Sequence, residues 1–288
     1  MELNADNIKN IKSIPVSRNR PVAFVVGAAG FLGSHLVDRL LEKHIQVVAV
    51  DDLSNGKLIN LDLAIRNRDF HWIQKEVSEL KELGLSLPRV DYAFWLVNPG
   101  RSESSYLEQL ESFLTFVNQY RTATESAGKA VQGESNYPRL VLVSSVELYG
   151  KKLSKRETVL KAAEIAFAKY VKKMGLNARV VRLAEVFGPR MSWRSEDPMV
   201  SLLRSAIEGK LQHENASLAF STRAIYVTDA VELILKSVLN GSTAQKIFDG
   251  VLAQPLKVAE VKQALLDPRW NREQGFEFSE LQIGRAHV

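Results

Sequence analysis

Short apolar runs separated by amphipathic stretches alternate along most of the chain. Val22–Val26 (VAFVV) is uninterrupted apolar, the pattern of a strand buried on both faces. Phe31–Lys43 carries Leu32, Leu36, Leu40 and Leu41 at helical spacing. Ile45–Val50 predicts a second strand that ends at Asp51, and Phe70–Ile73 and Tyr92–Val97 predict two more. A long helix is expected over Ser104–Ser126, a loop over Gly128–Pro138, a strand at Leu140–Ser144, a helix over Arg156–Met174 and a strand at Ala178–Leu183. Strand and helix in regular alternation predict an α/β fold, a doubly wound parallel sheet with helices on both faces.

After Gly188-Pro189 the pattern loosens. Helices are expected at Pro198–Glu208, Thr228–Leu239 and Val258–Leu266, with short strands at Ala224–Tyr226 and Lys246–Phe248. The predicted organisation is a polar, aperiodic arm over residues 1–20, a main domain over 21–188 and a small C-terminal α/β lobe over 189–282 that covers the open edge of the sheet. Residues 283–288 belong to no pattern. Their sequence, IGRAHV, matches the translation of a common DNA-sequencing adapter, so the expectation is a non-native tail on a truncated lobe.

The 288 residues are 45% hydrophobic and 25% charged, which excludes a disordered or collagen-like chain. No apolar stretch reaches the ~20 residues of a membrane helix, and the first twenty residues lack the apolar block of a signal peptide. Cysteine is absent, which excludes disulfides, a thiolate nucleophile and thiolate-bound metal, and fits a cytoplasmic protein. The formal charge of +5 is spread over short groups of Lys and Arg, so no nucleic-acid face and no membrane surface are expected. An anionic small molecule suits that balance.

The strongest chemical signal is VVGAAGFLGSHLVDRLLE. Gly27, Gly30 and Gly33 stand between a buried strand and an amphipathic helix. In such a turn the first glycine permits the tight bend, the second lets the backbone approach a pyrophosphate, and the third lets helix and strand pack closely. The helix N-terminus then offers free N–H groups and the positive end of its dipole. Asp51, at the end of the next strand, is placed to accept both adenosine ribose hydroxyls and to repel a 2′-phosphate, which favours NAD over NADP.

The spacing G-x-x-G-x-x-G with Phe31 inside it, followed by DDLSNGK at Asp51–Lys57, resembles the extended short-chain dehydrogenase/reductase family. Its members are NAD-dependent sugar-nucleotide epimerases, dehydratases and decarboxylases on a Rossmann fold. GSHLVDRLLE, Pro99, SSVELYG at Ser144–Gly150 and FGPRM at Phe187–Met191 are similar in flavour to UDP-glucuronate decarboxylase. The resemblance runs from about Pro21 to Leu266 and implies NAD as cofactor and a nucleotide sugar as ligand. It implies cofactor contacts from Gly27, Gly30, Phe31, Leu32, Gly33, Asp51, Asp52, Ser54, Gly56, Glu76, Val77 and Leu96. For the substrate it implies Arg190, and Arg223 one step from the family's arginine position, which falls on Thr222.

In the family a Tyr-x-x-x-Lys pair removes the sugar hydroxyl proton while hydride passes to the nicotinamide, and a Ser or Thr holds the same hydroxyl. A phenol, with an ordinary pKa of about 10, needs an adjacent cation to act as a base near neutrality. Ser145 matches the Ser/Thr position. Counting back from Gly175 and Arg182 puts Arg156 in the tyrosine position and Leu160 in the lysine position, with Glu164 on the family's glutamate. A register one residue later puts Glu157 and Lys161 there instead and still supplies no phenol. The residues four places after Tyr92, Tyr106, Tyr120, Tyr137, Tyr149, Tyr170 and Tyr226 are Leu, Leu, Thr, Val, Leu, Met and Ala, so the chain has no Tyr-x-x-x-Lys. The family's His-Leu-Ala-Ala after strand four is Trp95-Leu96-Val97-Asn98 here, and Glu185 replaces an asparagine of the sugar-nucleotide region.

Three readings follow. The first is an NAD-binding member with impaired or absent catalysis. The second is an active enzyme with an altered base, Lys152, Glu157 or Lys161 near Ser145. The third is a scaffold that no longer holds NAD, against which the intact glycines and Asp51 argue. Family members pair through two helices, here Ser104–Ser126 and Arg156–Met174, where Ala162, Ala163, Ala166 and Ala168 supply small contact residues, so a homodimer is expected.

Overall fold

A computed structural model describes residues 20–81, 90–99, 102–126, 138–192, 198–210, 221–239 and 246–266. The expected arm, the loop at 128–137 and the tail lie outside the described residues. Seven parallel strands form the sheet: β1 (Val22–Val26), β2 (Gln46–Val50), β3 (Phe70–Ile73), β4 (Tyr92–Trp95), β5 (Arg139–Ser145), β6 (Asn177–Leu183) and, after three short strands, β10 (Ile247–Gly250). Their order is β10-β6-β5-β4-β1-β2-β3. The order reverses between β1 and β4, and a sheet of this kind opens a ligand crevice beyond the strand ends at that point.

β1, β2 and β4 are buried along their whole lengths, because helices cover both faces and leave polar side chains no exit. On one face pack α1 (Phe31–Glu42) and α6 (Val227–Leu239), whose Leu36, Leu40, Ile234 and Leu235 are fully buried. On the other face pack α3 (Glu103–Ser126) and α4 (Lys155–Met174), where Phe24 of β1 meets Phe113 and Phe116 at centroid distances of 6.2 and 4.8 Å. Ser154 and Glu157 close a capping box at the start of α4, and Gly175 at φ 63° ends it in a left-handed turn. A four-residue helix, α2 (Asp62–Ile65), leads into β3.

Only part of the segment after Gly188 forms a smaller unit, and the rest joins the main sheet. α6 and β10 return to the main sheet, where β10 pairs in register with β6 from Ile247–Val180 to Gly250–Leu183. The sequence pattern showed a helix and a short strand here, but one strand's pattern carries no signal of its neighbour. A smaller core forms between α5 (Pro198–Ile207) and α7 (Val258–Leu265), with Phe187 of β7 (Val186–Phe187) fully buried in it. β7 pairs with β9 (Ile225–Tyr226), and β8 (Ser221–Thr222) with β11 (Leu256–Lys257). β9 falls within the strand expected at Ala224–Tyr226, while β7, β8 and β11 are too short to leave a periodic trace. Phe31 touches both the main core and this smaller one, joining them at the first residue of α1.

Phe24 has no exposed surface, so Phe24→Ala opens a cavity between β1 and α3. It is expected to cost about 3–5 kcal/mol, read as a lower urea midpoint at unchanged m-value; an unchanged midpoint contradicts this packing.

Candidate active site

The site is built at the C-terminal ends of β1, β2, β4 and β5. After Val26 the chain turns at Gly27, with φ +81°, and enters α1 at Gly30. A Cβ on Gly27 would lie 2.8 Å from the backbone of Leu96, and one on Gly33 would lie 2.0 Å from the Gly27 carbonyl oxygen. Gly30 is different: its φ is −69°, and its Cβ would meet only the Gly27 carbonyl, at 3.2 Å. Its side is open to the cleft, the space a pyrophosphate needs. No side chain caps the start of α1 and no acidic residue stands in its first turn, so the positive end of the helix is left for a ligand.

Asp51 closes the adenosine side. Its Oδ2 accepts from Ala29 N at 3.0 Å and its Oδ1 from Leu53 N at 2.8 Å, which aims the carboxylate and leaves each oxygen a further lone pair. Burial pushes this carboxyl up from the ordinary range, and the two backbone donors pull it partly back. Asp52 accepts from the Ser54 backbone and hydroxyl, and Gly56 passes so close that a Cβ would meet Asp51 Oδ1 at 2.8 Å. Glu76 accepts from Gln109 Nε2 at 3.2 Å and from Ser78 Oγ at 3.0 Å.

The glycines, Asp51, Asp52, Ser54 and Glu76 border one cleft of about 850 Å³. It gathers the expected cofactor residues Gly27, Gly30, Phe31, Leu32 and Gly33, then Asp51, Asp52, Ser54 and Gly56, then Glu76, Val77 and Leu96. Ser145, Arg156 and Leu160 line its other end, beside Glu147 and Glu185. Ser145 Oγ accepts from Glu147 N at 3.2 Å.

The register of α4 is set by Glu164, which forks onto Arg182 of β6 at 3.0 and 2.7 Å. Positions 156, 160 and 164 share one helix face, so this pair turns Arg156 and Leu160 toward the cleft. Glu157 and Lys161 do not line it, and Glu157 is held in the capping box by Ser154. Tyr149 also points away: its hydroxyl donates to Asp249 at 3.0 Å and its ring lies 4.7 Å from the Arg182 guanidinium.

The phenol that does line the cleft is Tyr106, in the first turns of α3. It is 4% exposed. Its hydroxyl accepts from Trp95 Nε1 at 2.9 Å and donates to the Val97 carbonyl at 3.2 Å. Burial pushes it up to about 12, against the pull of the Trp95 donor and the Arg156 charge, so it stays protonated at neutral pH. Lys75, the lysine of the cleft, is paired with Glu79. Among the described residues no tyrosine hydroxyl and lysine amine meet at the cleft.

Arg190 and Arg223 lie outside the cleft lining. Arg190, at φ 67°, pairs with Asp38 of α1 at 2.7 Å, while His35 Nε2 contacts the Pro189 carbonyl at 2.9 Å. Arg223 donates to the carbonyls of Leu252 and Ala253 at 2.8 and 3.1 Å. Trp95 is fully buried between Tyr106 and Phe113 rather than facing the cleft. Sequence reasoning missed Tyr106, Asn98 and Asn60, whose Nδ2 donates to the Ala29 carbonyl at 2.9 Å. Each is a polar group at an element's end, a pattern that solvated residues share.

The glycines separate by experiment. Gly33→Ala drives a methyl into backbone and is expected to cost about 1–3 kcal/mol or more of stability. Gly30→Ala meets one backbone carbonyl at 3.2 Å and exchanges glycine for a poorer N-cap, so it is expected to cost less, about 0.5–1 kcal/mol, with its larger effect on ligand binding. Thermal melts of both variants check this; equal losses would contradict the geometry.

The model of the NAD dependent epimerase/dehydratase family matches residues 23–248. UDP-glucuronic acid decarboxylase 1 of Xenopus tropicalis is 26% identical over 233 residues, covering 74% of this chain and 52% of that protein. UDP-glucose 4-epimerase of Mycolicibacterium smegmatis is 44% identical over 61 residues, 21% of this chain and 20% of that one. The chain spans about half the length of the Xenopus decarboxylase it matches. Among solved structures, UDP-glucose 4-epimerase of Thermotoga maritima with UDP-glucose superposes at a TM-score of 0.65, with 20% identity over 85% of this chain and 81% of that one. dTDP-glucose 4,6-dehydratase of Bacillus anthracis in complex with NAD gives 0.65, with 19% identity over 85% and 80%. These likenesses show a shared fold, and the family match covers more than half of the chain: it belongs to the NAD dependent epimerase/dehydratase family.

Proposed function

We propose that this chain binds NAD in the cleft, with a nucleotide sugar as its small-molecule partner, and that its sugar-oxidising catalysis is impaired or absent. One observation carries the reading: the glycine cradle and Asp51 fit a dinucleotide, while the α4 face turned into the cleft presents Arg156 and Leu160. Bound NAD would supply a hydride acceptor. The chain's own residues hold its pyrophosphate at the open side of Gly30 and its adenosine ribose at Asp51. Ser145 is placed to hold a sugar hydroxyl. A guanidinium stays protonated and cannot take that hydroxyl's proton, and Leu160 offers no charge to lower a phenol's pKa. Loss of a positioned base alone costs roughly 10²–10⁴-fold in rate. Of the alternative bases, Glu157 is committed to the helix cap, and Lys152 and Lys161 are not in the cleft lining, which disfavours an enzyme with a substitute base.

The same reading assigns the cofactor contacts to Gly27, Phe31, Leu32, Gly33, Asp52, Ser54, Gly56, Glu76, Val77 and Leu96. It leaves Arg190 and Arg223 as ties within the fold. Pairing of two copies is proposed through α3 and α4, where Ile165 is 49% exposed beside half-buried Ala162 and Ala166. No helix among the described residues is long and apolar enough to cross a membrane.

Titration with NAD and NADP is expected to show saturable binding of NAD and weaker binding of NADP. With UDP-glucuronate or UDP-glucose present, no reduced cofactor and no new sugar nucleotide should accumulate. Absence of NAD binding at millimolar concentration, or turnover at ordinary enzymatic rates, overturns the reading.

Asp51 also sets a pH dependence. Its folded pKa is raised, so protonation begins at higher pH than for an exposed aspartate. NAD affinity is expected to fall as pH drops through that window, and Asp51→Asn should bind weakly with a flat profile. Fold stability at this site moves the other way, because the folded chain holds the proton more tightly than the unfolded chain. Parallel profiles for the two proteins would contradict the assignment.

A further inference from the structure

The backbone at Leu96–Asn98 forms one wall of the cleft, across Gly27 from Asp51, since β4 and β2 flank β1 on opposite sides. This stretch has left the sheet, and each of its residues is tied by a different element. Leu96 N donates to the Val26 carbonyl of β1 at 3.0 Å. The Val97 carbonyl accepts from the Tyr106 hydroxyl of α3 at 3.2 Å. Asn98 Oδ1 accepts from Arg156 Nε of α4 at 3.2 Å. The backbone so held is also the backbone that touches Gly27: a Cβ there would lie 2.8 Å from Leu96 and 3.1 Å from Val97 N.

We infer that Tyr106 and Arg156 are positioning residues that pin this rail, and that they set the affinity of the cleft for the half of the dinucleotide beyond the pyrophosphate. The inference rests on the NAD reading above, and it gives Arg156 a task in place of the missing base. The Tyr106 hydroxyl is itself oriented, because its oxygen accepts a hydrogen bond from buried Trp95 and its own hydrogen is left for Val97. Arg156 keeps its two terminal amines free of any acidic partner among the described residues, so its tie to Asn98 is not drawn off by a salt bridge. Neither side chain touches the Asp51 side, where Ala29 and Leu53 do the positioning.

The variants are Tyr106→Phe and Arg156→Gln, each removing a donor and keeping most of the packing. Two readouts separate the pin from the cofactor. Amide hydrogen exchange on the protein without cofactor should speed up at residues 96–98 in both variants and stay unchanged at residues 51–54. Calorimetric titration should then show NAD binding weakened about 3- to 10-fold by either change, the scale of one lost hydrogen bond, with AMP binding unaltered. Unchanged exchange at 96–98 overturns the pin. Faster exchange with unchanged NAD affinity, or with AMP weakened equally, overturns its role in binding. A wild-type chain that shows the exchange pattern of a pinned rail but does not bind NAD overturns the cofactor reading alone. Arg156→Lys, which retains a donor of different reach, should fall between wild type and Arg156→Gln in NAD affinity; a loss as large as that of Arg156→Gln would overturn the tie to Asn98.

Discussion

The Gly27 peptide is approached by backbone from two directions at once. The start of α1 comes down on its carbonyl, so that Gly33 has no room for a methyl, and the strand-four extension lies against its α-carbon. Both contacts are between main chains, where no rotamer can relieve a clash, and the packing of α1 on the sheet and the width of the cleft depend on them. α1 in turn carries Phe31 into the second core and Asp38 to Arg190. One crowded turn therefore fixes the sheet, the phosphate end of the cleft and the seat of the C-terminal segment together.

The opposite end of the cleft is fixed by a side-chain pair. Glu164 and Arg182 are largely buried, with 12% and 15% of their side chains exposed, and they make a two-point fork. A fork constrains rotation as well as distance. It therefore decides which α4 residues can reach the cleft, and a slip of one residue, about 100° of helix, would carry Arg156 out of it. The ring of Tyr149, 4.7 Å from the Arg182 guanidinium, adds to the same node.

The sheet was legible because its strands are short apolar runs buried on both faces, a signal that survives without tertiary information. The glycine turn was legible because three steric demands fall on three fixed positions. The site's other half was legible only by comparison with a family pattern, which located Arg156 and Leu160 as replacements. Geometry was needed to see that Arg156 is tied to Asn98 and that Tyr106 is tied to Val97. The first joins polar groups 58 residues apart and the second a hydroxyl and a carbonyl nine residues apart, and no period or spacing encodes either. Arg190 and Arg223 show the converse: a guanidinium near a motif reads as a ligand for anions, but here one meets Asp38 and the other meets carbonyls. β10 was legible as a strand and not as the edge of the main sheet, because pairing partners are chosen by topology.

The two halves of the site differ in what holds them. The phosphate half is made of backbone that also packs α1 against the sheet, so changes there tax folding itself. The α4 positions matched to the family's tyrosine and lysine, exposed Arg156 and buried Leu160, border the cleft and take no part in that backbone packing. The helix around them is held by its capping box, its fork to Arg182 and its buried Val159, Ala163 and Phe167. Position 156 faces the wall at Asn98, and a side chain able to reach it gains a hydrogen bond. Arg156 is such a side chain.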